Sequence, residues 1–121
     1  MSQEEIQLLL KDLSARLSYG VICQVDDGAA GLNDGKLIEI DVSKELVRFD
    51  ADYYWDVWID DVKPYLRPMS SIASLISAKE FTQLGGIDLI DWYNANHIDY
   101  RGLIPKGLAI AVTKENNPYN E

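Results

Sequence analysis

Residues 19–50, YGVICQVDDGAAGLNDGKLIEIDVSKELVRFD, carry the pattern that decides the fold class. Val21, Cys23 and Val25 alternate with Ile22 and Gln24, the period of two that a mostly buried strand shows because successive side chains leave opposite faces. Asp27-Gly28 reads as a turn, and Asn33-Asp34-Gly35 as a second turn before a strand over residues 36–42, where Leu37 to Asp41 alternates apolar with polar or acidic. Residues 45–50 supply one more short strand. Strands this short, joined by tight turns, make an antiparallel meander, since parallel neighbours need long crossovers.

Upstream, Ser2 and Glu5 stand at capping-box spacing, Ile6, Leu9, Leu10, Leu13 and Leu17 recur at helical intervals, and Gly20 follows; the spacing predicts a helix over residues 3–18. Downstream, residues 50–61, DADYYWDVWIDD, set Tyr53, Trp55 and Val57 on one side and Tyr54, Asp56 and Trp58 on the other. A strand with aromatics on both faces is expected to be covered on both, by the core and by a helix, a ligand or a partner. Pro64 and Pro68 punctuate KPYLRP, which reads as a short helical turn or an extended loop and not as part of a central strand. Residues 70–84 are helical, capped by Ser71 or by Ser77 with Glu80, so that one helix or two short ones fit. Gly85-Gly86 ends that run, and residues 87–96 form a further helix with Leu89, Trp92 and Tyr93 on one stripe. Asp99 caps a turn through Leu103 and Ile104, residues 108–112 make a last strand, and the polar tail over 113–121 is expected to fray. The expectation is one α+β domain over residues 1–121, with a small antiparallel sheet of four to five strands. An N-terminal helix and two to three further helices pack mainly on one face.

Composition narrows the partners. Of 121 residues, 47% are apolar, enough for a core, and twenty acidic against eleven basic side chains leave a net charge of −9. That balance repels phosphate backbones and anionic membranes, so neither direct nucleic-acid binding nor membrane attachment is expected. The lone Cys23 makes no internal disulfide, MSQEEIQ lacks the features of a signal peptide, and the cytoplasm is the expected compartment. GAAGLNDGK is not a phosphate loop, because Ala30 stands where glycine is required and Leu37 replaces the magnesium-binding hydroxyl. One cysteine and one histidine do not compose a zinc site, and no calcium-loop spacing is present, so no metal and no cofactor are expected. A Cys23–His97 dyad would require an accessible thiol inside a strand.

Three segments remain as candidates. NANHIDYRG gathers Asn94, His97, Asp99, Tyr100 and Arg101, in which Arg101 and His97 suit an anion while Tyr100, with Trp92 nearby, suits a ring or base. The plainer alternative has Asp99 capping a turn, Arg101 paired with a carboxylate and His97 closing a helix. In KPYLRP, Lys63, Tyr65 and Arg67 fit a basic-aromatic clamp or, equally simply, a rigid loop packed on the core. From Asp41 to Asp61, seven carboxylates stand among Tyr53, Tyr54, Trp55 and Trp58. They suit a DNA-mimicking surface, an interface that makes homo-oligomers, or a solvated sheet face.

VKPYLRPMSS over residues 62–71 and IDWYNANHIDYRGLIPKGLAI over residues 90–110 together resemble a family of small uncharacterised proteins common in phages and mobile elements of Bacteroides-type bacteria. The resemblance spans about residues 12–112 and departs at SSIASLISAKEF, where the family's usual acidic run is replaced. It implies an accessory gene product working inside a bacterial cell and carries no catalytic residues across. The function expected from all of this is a non-catalytic binding protein, a counter-defence inhibitor acting on a host protein or a small anionic, nucleotide-like signal. A small enzyme acting on a phosphorylated or nucleotide substrate around His97 and Arg101 is the alternative, and an acidic DNA mimic the third.

Overall fold

Ser2 opens the first helix as its spacing predicts: its hydroxyl accepts from the Glu5 amide at 3.1 Å while its own amide donates to the Glu5 carboxylate at 2.9 Å. In the computed structural model, which describes residues 1–26, 28, 31–50 and 56–119, this helix, α1, spans Gln3–Arg16 and runs into a single 3-10 turn, Leu17–Tyr19. Gly20 then takes a left-handed φ of 69° and releases the chain into β1, Ile22–Asp26. β2 (Leu32–Asp41), β3 (Leu46–Asp50) and β4 (Asp56–Trp58) follow as the expected meander, each antiparallel to the one before. The chain then returns to the far side of β1, where β5 (Val62–Leu66) pairs antiparallel with it. β6 (Ile110–Ala111) closes the order β4-β3-β2-β1-β5-β6 by pairing parallel with β5.

The architecture is α+β as expected, with six strands where four to five were read. Two local differences bear on the strand pairing. Asn33-Asp34-Gly35 is not a turn but lies inside β2, opposite Val25, Gln24 and Cys23. Gly35 is there for closeness: a Cβ on it would stand 3.0 Å from the Phe49 Cβ. KPYLRP is not a loop; its first four residues belong to β5, with Pro64 opposite Cys23. β6 pairs only with Tyr65 and Leu66, so the edge beside Pro64 needs no donor there. The tail also departs from its frayed reading, because Tyr119 is tied to β1 and β5.

α1 lays Leu9 and Leu13 on one face of the sheet against Val21, Cys23, Val25, Leu37, Val47 and Phe49, and all are buried. A bulge between Leu37 and Glu39 keeps both Leu37 and Ile40 on that side. The other face is polar and largely open. After β5, a 3-10 turn leads into α2 (Ile72–Leu75) and α3 (Ala78–Thr82), two short helices separated by Ser77, which caps α3 through the Glu80 amide. α4 (Gly86–Ala95) packs beside α1 and delivers the His97 segment to the end of β5.

Candidate functional site

The segments KPYLRP and NANHIDYRG, far apart in sequence, are laid side by side by a short parallel pairing of Arg67 with Ile98. The Arg67 amide donates to the His97 carbonyl at 2.7 Å and the Asp99 amide to the Arg67 carbonyl at 2.9 Å. His97 reaches this place because α4 ends in a double hydrogen-bonded cap. The Ile98 amide returns to the Tyr93 carbonyl, the His97 amide to Asn94, and His97 takes φ 57°, a position usually filled by glycine. Asp99 then caps the next turn, accepting from the Leu103 and Ile104 amides at 2.8 and 2.9 Å, as its position predicts.

Two clusters grow from this junction. On the α1 side, Asp12 and Arg16 are wholly buried, with Arg16 Nε 2.9 Å from one carboxylate oxygen and Nη2 3.2 Å from the other. Arg101 Nε forms a second ion pair with Asp12 at 3.2 Å. Arg16 also donates to the Ile98 carbonyl and, more weakly, to that of Tyr93, so a cation sits at the negative end of α4. Arg101 donates to the Tyr100 hydroxyl, which donates to Asn94, and Tyr100 stacks on Tyr93 with ring centroids 5.2 Å apart. Of the two readings of Arg101, the pairing with a carboxylate describes what it does here. Asp12 and Arg16 went unnoticed in sequence, although their i,i+4 spacing on the leucine stripe of α1 was the available signal.

On the sheet side the second cluster forms around Tyr119. Its ring lies 4.3 Å from the His97 imidazole at 11° and 5.3 Å beneath the Arg67 guanidinium. The Tyr119 hydroxyl donates to the Tyr65 carbonyl at 2.8 Å and accepts from the Ile22 amide at 3.1 Å. Arg67 also donates to the Asn96 carbonyl at 2.7 Å. His97 is 6% exposed, and its Nδ1 has no hydrogen-bond partner among the described residues. Burial, then the Arg16 and Arg67 guanidiniums, push its pKa down to about 4, so the ring is neutral at neutral pH. Burial likewise raises the Tyr119 phenol. Tyr119 was missed in sequence; the one aromatic after a proline in a polar tail was its signal.

The remaining candidates lie elsewhere. The Tyr65 side chain turns to the open face of the sheet and donates to Asp34 at 2.8 Å; burial, and then Asp34, raise its phenol pKa. Lys63 is exposed at a separate cleft with Gln24, Asp26, Asp60 and Asp61. Trp92 packs edge-on against Phe81, 6.0 Å away. Cys23 is fully buried, and burial pushes its thiol up, so it supplies no thiolate to His97. Of the acidic field, Asp56 pairs with Arg48 at 3.1 Å, which also pairs with Glu39 of β2 at 3.2 Å, and Asp41 caps the turn after β2 through Ser43 and Lys44. Trp58 is 60% exposed on the edge strand β4, while Tyr53, Tyr54 and Trp55 lie outside the described residues.

Among the described residues no group of three or more His, Cys, Asp or Glu side chains is placed to hold a metal ion, and no helix is long and apolar enough to cross a membrane. Comparison with protein-family models, with curated proteins and with solved structures found no match.

Proposed function

We propose that this chain is a non-catalytic binding protein of a phage or mobile element, which restrains a host protein or a nucleotide-like signal. The observation that carries this reading is the state of His97. General acid–base work needs a group titrating near the working pH and within reach of the reacting proton. His97 is buried, stacked on Tyr119, next to two guanidiniums and depressed to about 4, which favours a wall over a proton carrier. Arg101, the other residue of the enzymatic alternative, is engaged with Asp12 and Tyr100. The mobile-element setting and the counter-defence role rest on the resemblance of VKPYLRPMSS and IDWYNANHIDYRGLIPKGLAI.

The test is native mass spectrometry of the protein purified from the host cell, followed by incubation with the ligand or partner that it carries. A stoichiometric adduct whose bound component keeps its mass is the expected result. Conversion of that component, lost in His97→Asn, would replace the binding reading with the enzymatic one.

A further inference from the structure

We propose that the slot filled by Tyr119 is a binding site for the base of a nucleotide, and that residues 113–119 are a tethered plug that the base displaces. The inference deepens the binding reading above and rests on it for the choice of ligand over substrate.

The slot is flat. One wall is the His97 imidazole, parallel to the Tyr119 ring within 11°, and the Arg67 guanidinium lies over the same ring. Stacking on an aromatic face with a guanidinium alongside suits any base, because every base has a π-face. In the plane of the ring the slot offers one donor and one acceptor. β1 and β5 are in register at Cys23 and Pro64, which makes Ile22 and Tyr65 the next pair. Their amide and carbonyl are bridged by the Tyr119 hydroxyl, at 3.1 and 2.8 Å. A nucleobase edge carries a donor and an acceptor side by side and meets the same two groups.

One further observation marks the slot as more than a place for a tail. His97 Nδ1, on the ring that forms its wall, is buried without a partner. An unmade hydrogen bond of this kind is costly and rare in a settled core.

The plug is held through its aromatic side chain. Among the described residues, the hydrogen bonds of residues 113–119 other than those of the Tyr119 hydroxyl stay within residues 111–119, as in the contacts of Asn116 with Thr113 and Ala111. Among the described residues, the Tyr119 hydroxyl makes the side-chain hydrogen bonds that join residues 113–119 to β1 and β5, and displacing that side chain leaves the Val112–Leu66 pairing in place.

The experiment titrates the full chain and its Tyr119→Ala variant with the four nucleoside 5′-monophosphates and with N-acetyltyrosinamide, by calorimetry and NMR, with thermal melts to confirm folding. A plug that closes the slot in about nine molecules of ten lowers apparent affinity about tenfold, so Tyr119→Ala should bind at least one nucleotide about tenfold more tightly than the parent. Adding His97→Asn, which tolerates the left-handed φ but removes the stacking wall, should abolish the gain. A folded Tyr119→Ala protein that binds no nucleotide, or binds N-acetyltyrosinamide alone, overturns the proposal, as does nucleotide binding that Tyr119→Ala leaves unchanged. If Tyr119→Ala does not fold, Tyr119→Phe decides: it keeps the ring, loses both hydrogen bonds, and should show a smaller gain, and no gain refutes the plug. A nucleotide bound and then consumed would sink the non-catalytic reading and keep the slot; absent binding would sink the slot and leave a protein partner.

Discussion

Asp12 holds two guanidiniums in the interior, and its removal is the most damaging single change expected around the motif. Asp12 and Arg16 are both 0% exposed, so Asp12→Ala leaves Arg16 charged and buried with the Tyr93 and Ile98 carbonyls and the Tyr100 ring beside it but no counter-charge among the described residues. A stranded buried charge of this kind costs about 3–5 kcal/mol, to be read from the shift of the urea midpoint. Arg101→Ala should cost less, because Asp12 retains both contacts to Arg16 and Arg101 is 19% exposed. Equal losses from the two variants would show that Arg101 is the principal partner. His97 gives a pH signature of definite sign. Its folded pKa of about 4 lies below the ordinary 6.5, so the unfolded chain binds more protons between these values and stability rises with pH across them. The contribution is fully present above about pH 6.5 and fades as the pH falls toward about 4, a change on the order of 3 kcal/mol. His97→Asn, which does not titrate, should flatten that part of the stability profile. A wild-type profile no steeper than that of the variant would contradict the buried, neutral imidazole.

At the scale of elements, α1 and the meander form one packing problem. Leu13 is fully enclosed against the sheet, so Leu13→Ala should open a cavity and cost about 2–5 kcal/mol, and native Cys23 should resist thiol reagents until the protein unfolds. β2 adds a sharper test, since Gly35→Ala would press a methyl group onto Phe49, which has no room to retreat. Overpacking of that kind costs about 1–3 kcal/mol, and a melt unchanged by Gly35→Ala would show that the strands can separate there. These elements also show what was legible beforehand. The capping box of α1, the alternation of β1, the Ser77 cap between α2 and α3 and the Asp99 cap are local chemistry, and local chemistry is written in adjacent residues. Gly35 and Pro64 misled for the opposite reason: their neighbours across the sheet, Phe49 and Cys23, decide their conformation, and a turn signal carries no word of them. The candidate site was half visible. Its two segments stood out by composition, but their junction depends on the pairing of Arg67 with Ile98, and its occupant, Tyr119, comes from a tail with no periodicity to announce it.

For the whole molecule, charge and apolar surface pull in opposite directions. Trp58 stands 60% exposed on β4, paired in register with Leu46, on the open face where Arg48 lies between Glu39 and Asp56. An indole so placed at the end of a sheet is the best anchor that the described surface offers, and two copies meeting through it would hide it. Against this stands a net charge of −9 on every copy, a repulsion that acts at long range and that salt screens. The two effects respond differently to ionic strength, because burial of an indole is almost indifferent to moderate salt whereas like-charge repulsion fades within a Debye length. The expected outcome is a homodimer whose affinity rises as salt is added, followed by sedimentation velocity at tens of micromolar protein. Trp58→Ser should return the protein to a monomer at every salt concentration while changing its unfolding free energy by no more than about 0.5 kcal/mol, since an exposed side chain contributes little to the fold. Association that weakens with salt would place ion pairs such as those of Arg48 at the contact, and a Trp58→Ser dimer as tight as the parent would move the contact off β4 altogether.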